Sequence, residues 1–244
     1  MKRSFAQTGF ILLTALLLAA VGASAQSGPS PAGDDVRGLP IIELRANSPS
    51  ATLAIVLSGD GGWADIDRRI GQQLAERGVD VIGFDDRAYL RTGKRDASGT
   101  GADVQRVAAH YLSLWNDQRL VLVGYSRGAA FAPFVATRLS PELRRRLALV
   151  AMLGLPEHAG FKYRFSDLWS THSDPKDPPI LPELERLRGT NMLCVYGTKE
   201  DESLCRGIDP TLVYPVARVG AHHFDGDYRS LTELILTRMG QAGR

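Results

Sequence analysis

The run Gly124-Tyr125-Ser126-Arg127-Gly128 constrains the fold of this chain more than any other stretch. It follows the apolar segment Leu120 to Val123 and precedes a helix-compatible run from Ala129 to Leu139. A buried strand, Gly-x-Ser-x-Gly and a helix make a sharp strand-to-helix turn that lifts one serine hydroxyl above a sheet edge. The turn is too tight for neighbouring β-carbons, hence the glycines, and the serine is held in a strained backbone conformation. The pentapeptide alone also occurs as an ordinary turn with a solvated serine. The flanking strand and helix patterns make Ser126 the candidate nucleophile.

A nucleophilic serine needs a base and an acid that orients it, in the chain order Ser, acid, His for this kind of turn. Thr190 to Gly197 reads as a buried strand, and Glu200, Asp201 and Glu202 follow it directly. The position three residues past the strand-ending glycine selects Glu200. The commoner residue type in the role selects Asp201, so both stand as candidates. The next strand, Val213 to Val219, ends in Gly220-Ala221-His222-His223-Phe224. Of the five histidines, only His222 and His223 follow the last strand, where a side chain can lean back over the serine. Hydrolases of this class commonly read Gly-Ala-x-His-Phe here, a register that picks His223 as the base and leaves His222 to support it.

An acyl-transfer site also needs backbone N–H groups aimed at the developing oxyanion. One comes from the residue after the nucleophile, Arg127. The other is expected from the loop after an early strand. Thr52 to Leu57 is that strand, and Ser58-Gly59-Asp60-Gly61-Gly62-Trp63 is the loop. Asp60 is the expected second donor, with Gly61 as the fallback. Gly61, Trp63, Tyr125 and Asp225 are the expected substrate-lining residues. The glycine-rich loop lacks the Lys-Ser/Thr ending and the spacing of nucleotide-binding loops.

Strands alternate with helical patterns along the rest of the chain. Pro40 to Arg45 reads as an edge strand, 65–77 as a helix stopped by Gly78, and Val79 to Phe84 as a strand. Residues 85–101 read as polar and irregular. Val104 to Trp115 carries helical spacing, Leu147 to Leu153 is an apolar strand, and Leu231 to Met239 is the last helix. Such alternation predicts an α/β fold of the α/β-hydrolase type, a mostly parallel sheet flanked by helices. The proline-rich stretch Gly160 to Pro182 holds Phe161, Tyr163, Phe165 and Trp169, and predicts a short substrate-binding cap or flap around 156–182.

Residues 1–25 read as an export signal: Lys2 and Arg3, an apolar run from Phe10 to Val21, and an Ala23-Ser24-Ala25 cleavage site. Residues 26–37 read as a flexible linker and 38–244 as one catalytic domain in the periplasm. The formal net charge of +2 falls to zero once Lys2 and Arg3 are removed. No basic stripe with interleaved aromatics points to nucleic acid. Arg144-Arg145-Arg146 reads as a solvated helix end. Export makes a disulfide between the two cysteines, Cys194 and Cys205, the expected state, closing the loop that carries Glu200 and Asp201.

With these residues in view, the chain resembles the bacterial virulence-associated VirJ/AcvB family of periplasmic α/β-hydrolases. The matching blocks are Leu57 to Trp63, Gly124-Tyr125-Ser126, Cys194-x-Tyr196-Gly197 with Glu200, Ser203 and Cys205, and Gly220-x-His222-His223-Phe224-Asp225-Gly226-Asp227-Tyr228. The resemblance implies hydrolysis of aminoacylated phosphatidylglycerol, notably the lysyl form, at the membrane surface. This chain departs from the family pattern at Arg127, where Phe is usual, and at Ala88-Tyr89-Leu90 and Lys162. Asp60, Asp225 and Asp227 offer charge complementary to a lysyl ammonium, and Arg127 to a phosphate.

The expected chemistry is serine ester hydrolysis with no metal or organic cofactor. The competing expectations are a non-catalytic periplasmic binding factor for secreted proteins, and a hydrolase of a soluble ester or peptide.

Overall fold

The computed structural model describes Met1 and residues 36–93, 95–162 and 174–241. The expected leader, most of the linker, and Tyr163, Phe165, Trp169 and His172 of the expected flap lie outside the described residues. Seven strands form one sheet in the order β1-β3-β2-β4-β5-β6-β7. They are β1 (Ile41–Leu44), β2 (Thr52–Leu57), β3 (Asp80–Phe84), β4 (Arg119–Tyr125), β5 (Leu147–Leu153), β6 (Met192–Gly197) and β7 (Tyr214–Arg218). All neighbours run parallel except β1, which pairs antiparallel with β3 at the edge. The α/β-hydrolase class expected from sequence is the one observed.

The central strands are apolar on both faces because helices cover both faces. On β2, Leu53, Ile55 and Leu57 enter the core cluster under α3 (Ala97–Leu114) and α4 (Arg127–Arg138), while Ala54 and Val56 enter the cluster under α1 (Asp65–Glu76) and α7 (Tyr228–Gln241). This is the period-2 alternation of a pleated strand. Chain direction across the sheet reverses at β2. From β2 the chain steps through α1 to β3 on one side, then through α2 (Asp86–Arg91) and α3 back to β4 on the other. The loops leaving β2 and β4 therefore diverge, and the crevice between them at the carboxyl ends is where open parallel sheets bind ligands.

Residues 85–101, expected to be irregular, contain α2 and the start of α3. The Asp85 carboxylate accepts the Ala88 N–H at 2.9 Å, and Asp96 accepts the Gly99 N–H at 2.7 Å. Both are N-caps, and capping residues read as loop in a polarity pattern. The expected flap leaves the body on two paired ends. Ala159 N–H donates to the Pro178 carbonyl at 2.9 Å and Ile180 N–H to that of Glu157 at 3.0 Å. Phe161 stacks on Phe131 with ring centroids 4.6 Å apart, and α6 (Leu181–Arg186) follows.

Candidate active site

Ser126 follows β4 directly and precedes α4 with φ 54° and ψ −113°. A non-glycine residue rarely takes such a conformation, and the surrounding packing holds it there. A β-carbon on Gly124 would lie 2.2 Å from the Gly128 carbonyl oxygen, and one on Gly128 would lie 2.0 Å from that of Leu57. Both glycines are thus fixed by backbone packing against backbone. Ser126 N–H donates to the Leu153 carbonyl at 2.8 Å, which ties the turn to the end of β5.

The residue just after β5, Gly154, links this turn to the acid and the histidine. It has φ +64°, and a β-carbon there would lie 2.7 Å from His222 Cε1, 2.9 Å from His222 Nδ1 and 3.4 Å from Glu200 Oε1. Glu200 Oε1 lies 2.6 Å from His222 Nδ1, and Glu200 Oε2 accepts the Gly197 N–H at 3.1 Å. His222 Nε2 is buried and has no hydrogen-bond partner among the described residues. A carboxylate on Nδ1 fixes the imidazole tautomer and leaves Nε2 as the proton acceptor.

Two readings left open by sequence separate here. Of the two acid candidates, Glu200 reaches a histidine, whereas Asp201 is exposed to solvent. Of the two histidines, it is His222 that the carboxylate holds, not the His223 chosen from the Gly-Ala-x-His-Phe register. His223 Nδ1 instead lies 2.8 Å from the Tyr125 hydroxyl. Burial, and then the neighbouring His222, hold the His223 imidazole below the usual 6.5. The chain doubles back after the pair through left-handed Phe224 (φ 54°) and Asp225 (φ 49°). A β-carbon on Gly197 would lie 2.4 Å from the Ala221 carbonyl oxygen, so the acid turn and the histidine turn touch through backbone.

The loop after β2 closes as a turn in which Gly62 N–H donates to the Gly59 carbonyl at 3.0 Å. A β-carbon on Gly59 would lie 3.0 Å from the Tyr125 ring and 3.5 Å from Ser126 Cβ, which brings this loop against the serine. Asp60, the expected oxyanion donor, pairs through its carboxylate with the Arg127 guanidinium. Arg127 Nη1 also donates to the Lys162 carbonyl at 3.1 Å. Arg127 thereby ties the β2 loop to the base of the expected flap. Gly61 is exposed on the same turn. Trp63 turns its ring inward, where a β-carbon on Gly83 would lie 2.5 Å from it. Asp225 folds over Gly220, and Asp227 accepts the Ser230 N–H at 3.2 Å near the start of α7.

Sequence reasoning missed the acids beneath the loop. Asp67 is 1% exposed, and burial pushes its carboxyl up to about 7 against the N–H groups of Gly59 and Ala64. Asp86 is fully buried, has neither oxygen hydrogen-bonded among the described residues, and is held well above 3.8 by desolvation. The signal for Asp67 was present: it shares the buried face of α1 with Ile70, Gly71 and Leu74. The two cysteines form a disulfide with Cα atoms 5.5 Å apart, closing the segment that carries Glu200.

A mostly parallel sheet, a strained serine after β4 and an acid–histidine pair after β6 and β7 define the fold class of the α/β-hydrolases. Solved structures agree on the fold. Est1E from Butyrivibrio proteoclasticus matches with TM-score 0.55 and 12% identity, over 82% of this chain and 93% of its own. The thioesterase domain from the curacin biosynthetic pathway matches with TM-score 0.53 and 16% identity, over 81% and 94%. An alpha-beta serine hydrolase homologue from Coxiella burnetii matches with TM-score 0.56 and 17% identity, over 81% and 89%. The chain belongs to the VirJ family, described as bacterial virulence protein, whose family model matches residues 51–242. No curated protein matches its sequence.

Proposed function

We propose that this protein is an exported serine hydrolase that cleaves esters. Ser126 attacks the acyl carbonyl, and His222 Nε2 takes its proton and later activates water for deacylation. Glu200 holds the imidazole from the other side, and the N–H groups of Arg127 and Asp60 receive the oxyanion. The observation that carries this reading is the 2.6 Å contact of Glu200 with His222, whose Nε2 is left unpartnered among the described residues on the same sheet edge as Ser126. The proposed substrate is the aminoacyl, notably lysyl, ester of phosphatidylglycerol at the periplasmic membrane face. Family membership supports that choice, and its resemblance-implied chemistry needs no cofactor.

A serine-reactive fluorophosphonate probe tests the chemistry: labelling of wild-type protein and none of Ser126→Ala is expected. Absence of labelling in folded wild-type protein refutes it in favour of a binding factor. Lipid extracts from cells with and without the protein test the substrate. Unchanged aminoacyl-phosphatidylglycerol with intact probe labelling refutes the lipid choice alone and leaves a soluble ester or peptide.

A further inference from the structure

At the opposite end of the sheet from Ser126, the amino ends of β4, β5 and β6 open into a cavity of about 730 Å³. β4 is seven residues long, so about 20 Å separates the two ends. Arg119, Arg144, Arg145, Arg146 and Arg238 line the cavity, and none of its lining residues among those described is acidic. Guanidinium groups keep their charge at any physiological pH, and their planar forks fit phosphate oxygens in pairs.

The existing partners leave most of that charge unspent. Arg146 pairs with Glu142 at 3.2 Å, and both are at the surface. Arg144 and Arg145 form no ion pair among the described residues. Arg119 donates to the Met239 carbonyl at 2.8 Å, a neutral partner. Arg238 lies over the Tyr214 ring at 4.4 Å and donates to Gln241 Oε1 at 3.0 Å, while its buried Nε has no acceptor among the described residues. Asp209, near the lining residue Thr211, is turned to the Thr211 N–H and hydroxyl. Basic residues do favour helix C-termini. Yet α5 (Pro141–Arg146) has six residues and carries three arginines in its last turn, more than so short a dipole accounts for. Thr190, Thr211 and Asn191 add neutral hydrogen-bonding groups to the lining.

We infer that this cavity is a second binding site, for a soluble small molecule carrying two or more phosphate groups. Its volume suits a ligand of that size. A bilayer headgroup offers the same chemistry, but a membrane held at this end faces away from the edge that carries Ser126. The phosphate-binding chemistry is independent of what Ser126 does, while the choice of a soluble ligand over a bilayer rests on the proposed function.

The test uses pyrophosphate and tripolyphosphate as probes, read by calorimetry and by thermal shift. The comparison is wild-type protein against Arg144→Gln/Arg145→Gln. Neither side chain has an ion pair to lose among the described residues, and the unliganded variant's Tm serves as the folding control. Saturable binding to wild type is expected, with Tm raised roughly 5–10 °C at a hundredfold excess over Kd. The variant is expected to bind roughly tenfold more weakly or worse, as charge-assisted hydrogen bonds are lost. No binding of either probe to wild type, or equal binding to the variant, overturns the inference. A parallel flotation assay uses phosphatidylglycerol vesicles. Arginine-dependent vesicle binding without binding of soluble probe overturns the soluble ligand in favour of a membrane contact.

Discussion

Replacing Asp67 with Asn isolates the electrostatic cost stored beneath the glycine-rich loop. Burial raises the Asp67 carboxyl from 3.8 to about 7, even though the Gly59 and Ala64 N–H groups act in the opposite direction. The folded protein therefore holds this proton more tightly than the unfolded chain does. The stability it contributes is fully present below about pH 4 and is lost as pH rises through about 7. A carboxyl moved from 3.8 to about 7 corresponds to about 4 kcal/mol between its two protonation states. Asn has the shape of the protonated acid and no charge to desolvate. Asp67→Asn is thus expected to match wild type near pH 4 and to exceed it at pH 8 by up to about 4 kcal/mol, or roughly 10 °C in Tm for a chain of this size. Scanning fluorimetry of both proteins from pH 4 to 8 reads the difference. His223 titrates in both proteins, and Asp86, whose carboxyl a charged Asp67 pushes up further, shifts the difference curve in the same direction as Asp67 itself. A flat difference curve, or a variant less stable at pH 8, refutes the reasoning.

The remaining expectations concern the acid, the histidines and the staple beside them. His222→Ala is expected to lower kcat by about 10³-fold and His223→Ala by less than tenfold, the size of a lost general base against a lost neighbour; the reverse order in steady-state kinetics on a chromogenic ester returns the role to His223. Gly154→Ala forces a β-carbon to within 2.7 Å of His222 Cε1 and is expected to cost roughly 100-fold in activity with the fold intact by circular dichroism; near-wild-type activity contradicts it. Cys194→Ser/Cys205→Ser opens a link spanning 11 residues and is expected to cost about 3 kcal/mol, measured by denaturant unfolding; an unchanged midpoint contradicts it.

How much of this was legible before the fold was known depends on the range of the interaction involved. The central strands were legible because helices bury both their faces, so they read as apolar runs, as at 53–57 and 147–153. The serine turn was legible because its glycines are demanded by atoms a few residues away or on the adjoining strand. The starts of α2 and α3 were not, because Asp85 and Asp96 look like loop residues until their carboxylates are seen on N–H groups three residues on. The choice between His222 and His223 is set by the backbone turn. Adjacent side chains leave it in different directions, and the close approaches of Gly197 to Ala221 and of Gly154 to His222 bring His222 to Glu200. Neither residue type nor local pattern carries that information.

Tyr125 shows how these loops are held as one unit. The residue before a nucleophile in such a turn points away from it, into the body of the site. Here that residue is 6% exposed, its ring lies under Gly59, and its centroid is 5.1 Å from that of His222. Its hydroxyl reaches His223 at 2.8 Å, and burial keeps the phenol protonated well above its usual 10.0. One side chain thus touches the loop after β2, sits beside Ser126 after β4 and meets both histidines after β7. Those segments come from distant parts of the chain and meet only at the carboxyl edge of the sheet. The sequence spends a large aromatic there because a smaller residue would leave the glycine-rich loop and the histidine turn without a common support. That ring is also why a strained serine backbone is tolerated: the strain is opposed by packing on both sides of the turn, Tyr125 against Gly59 and Gly128 against Leu57.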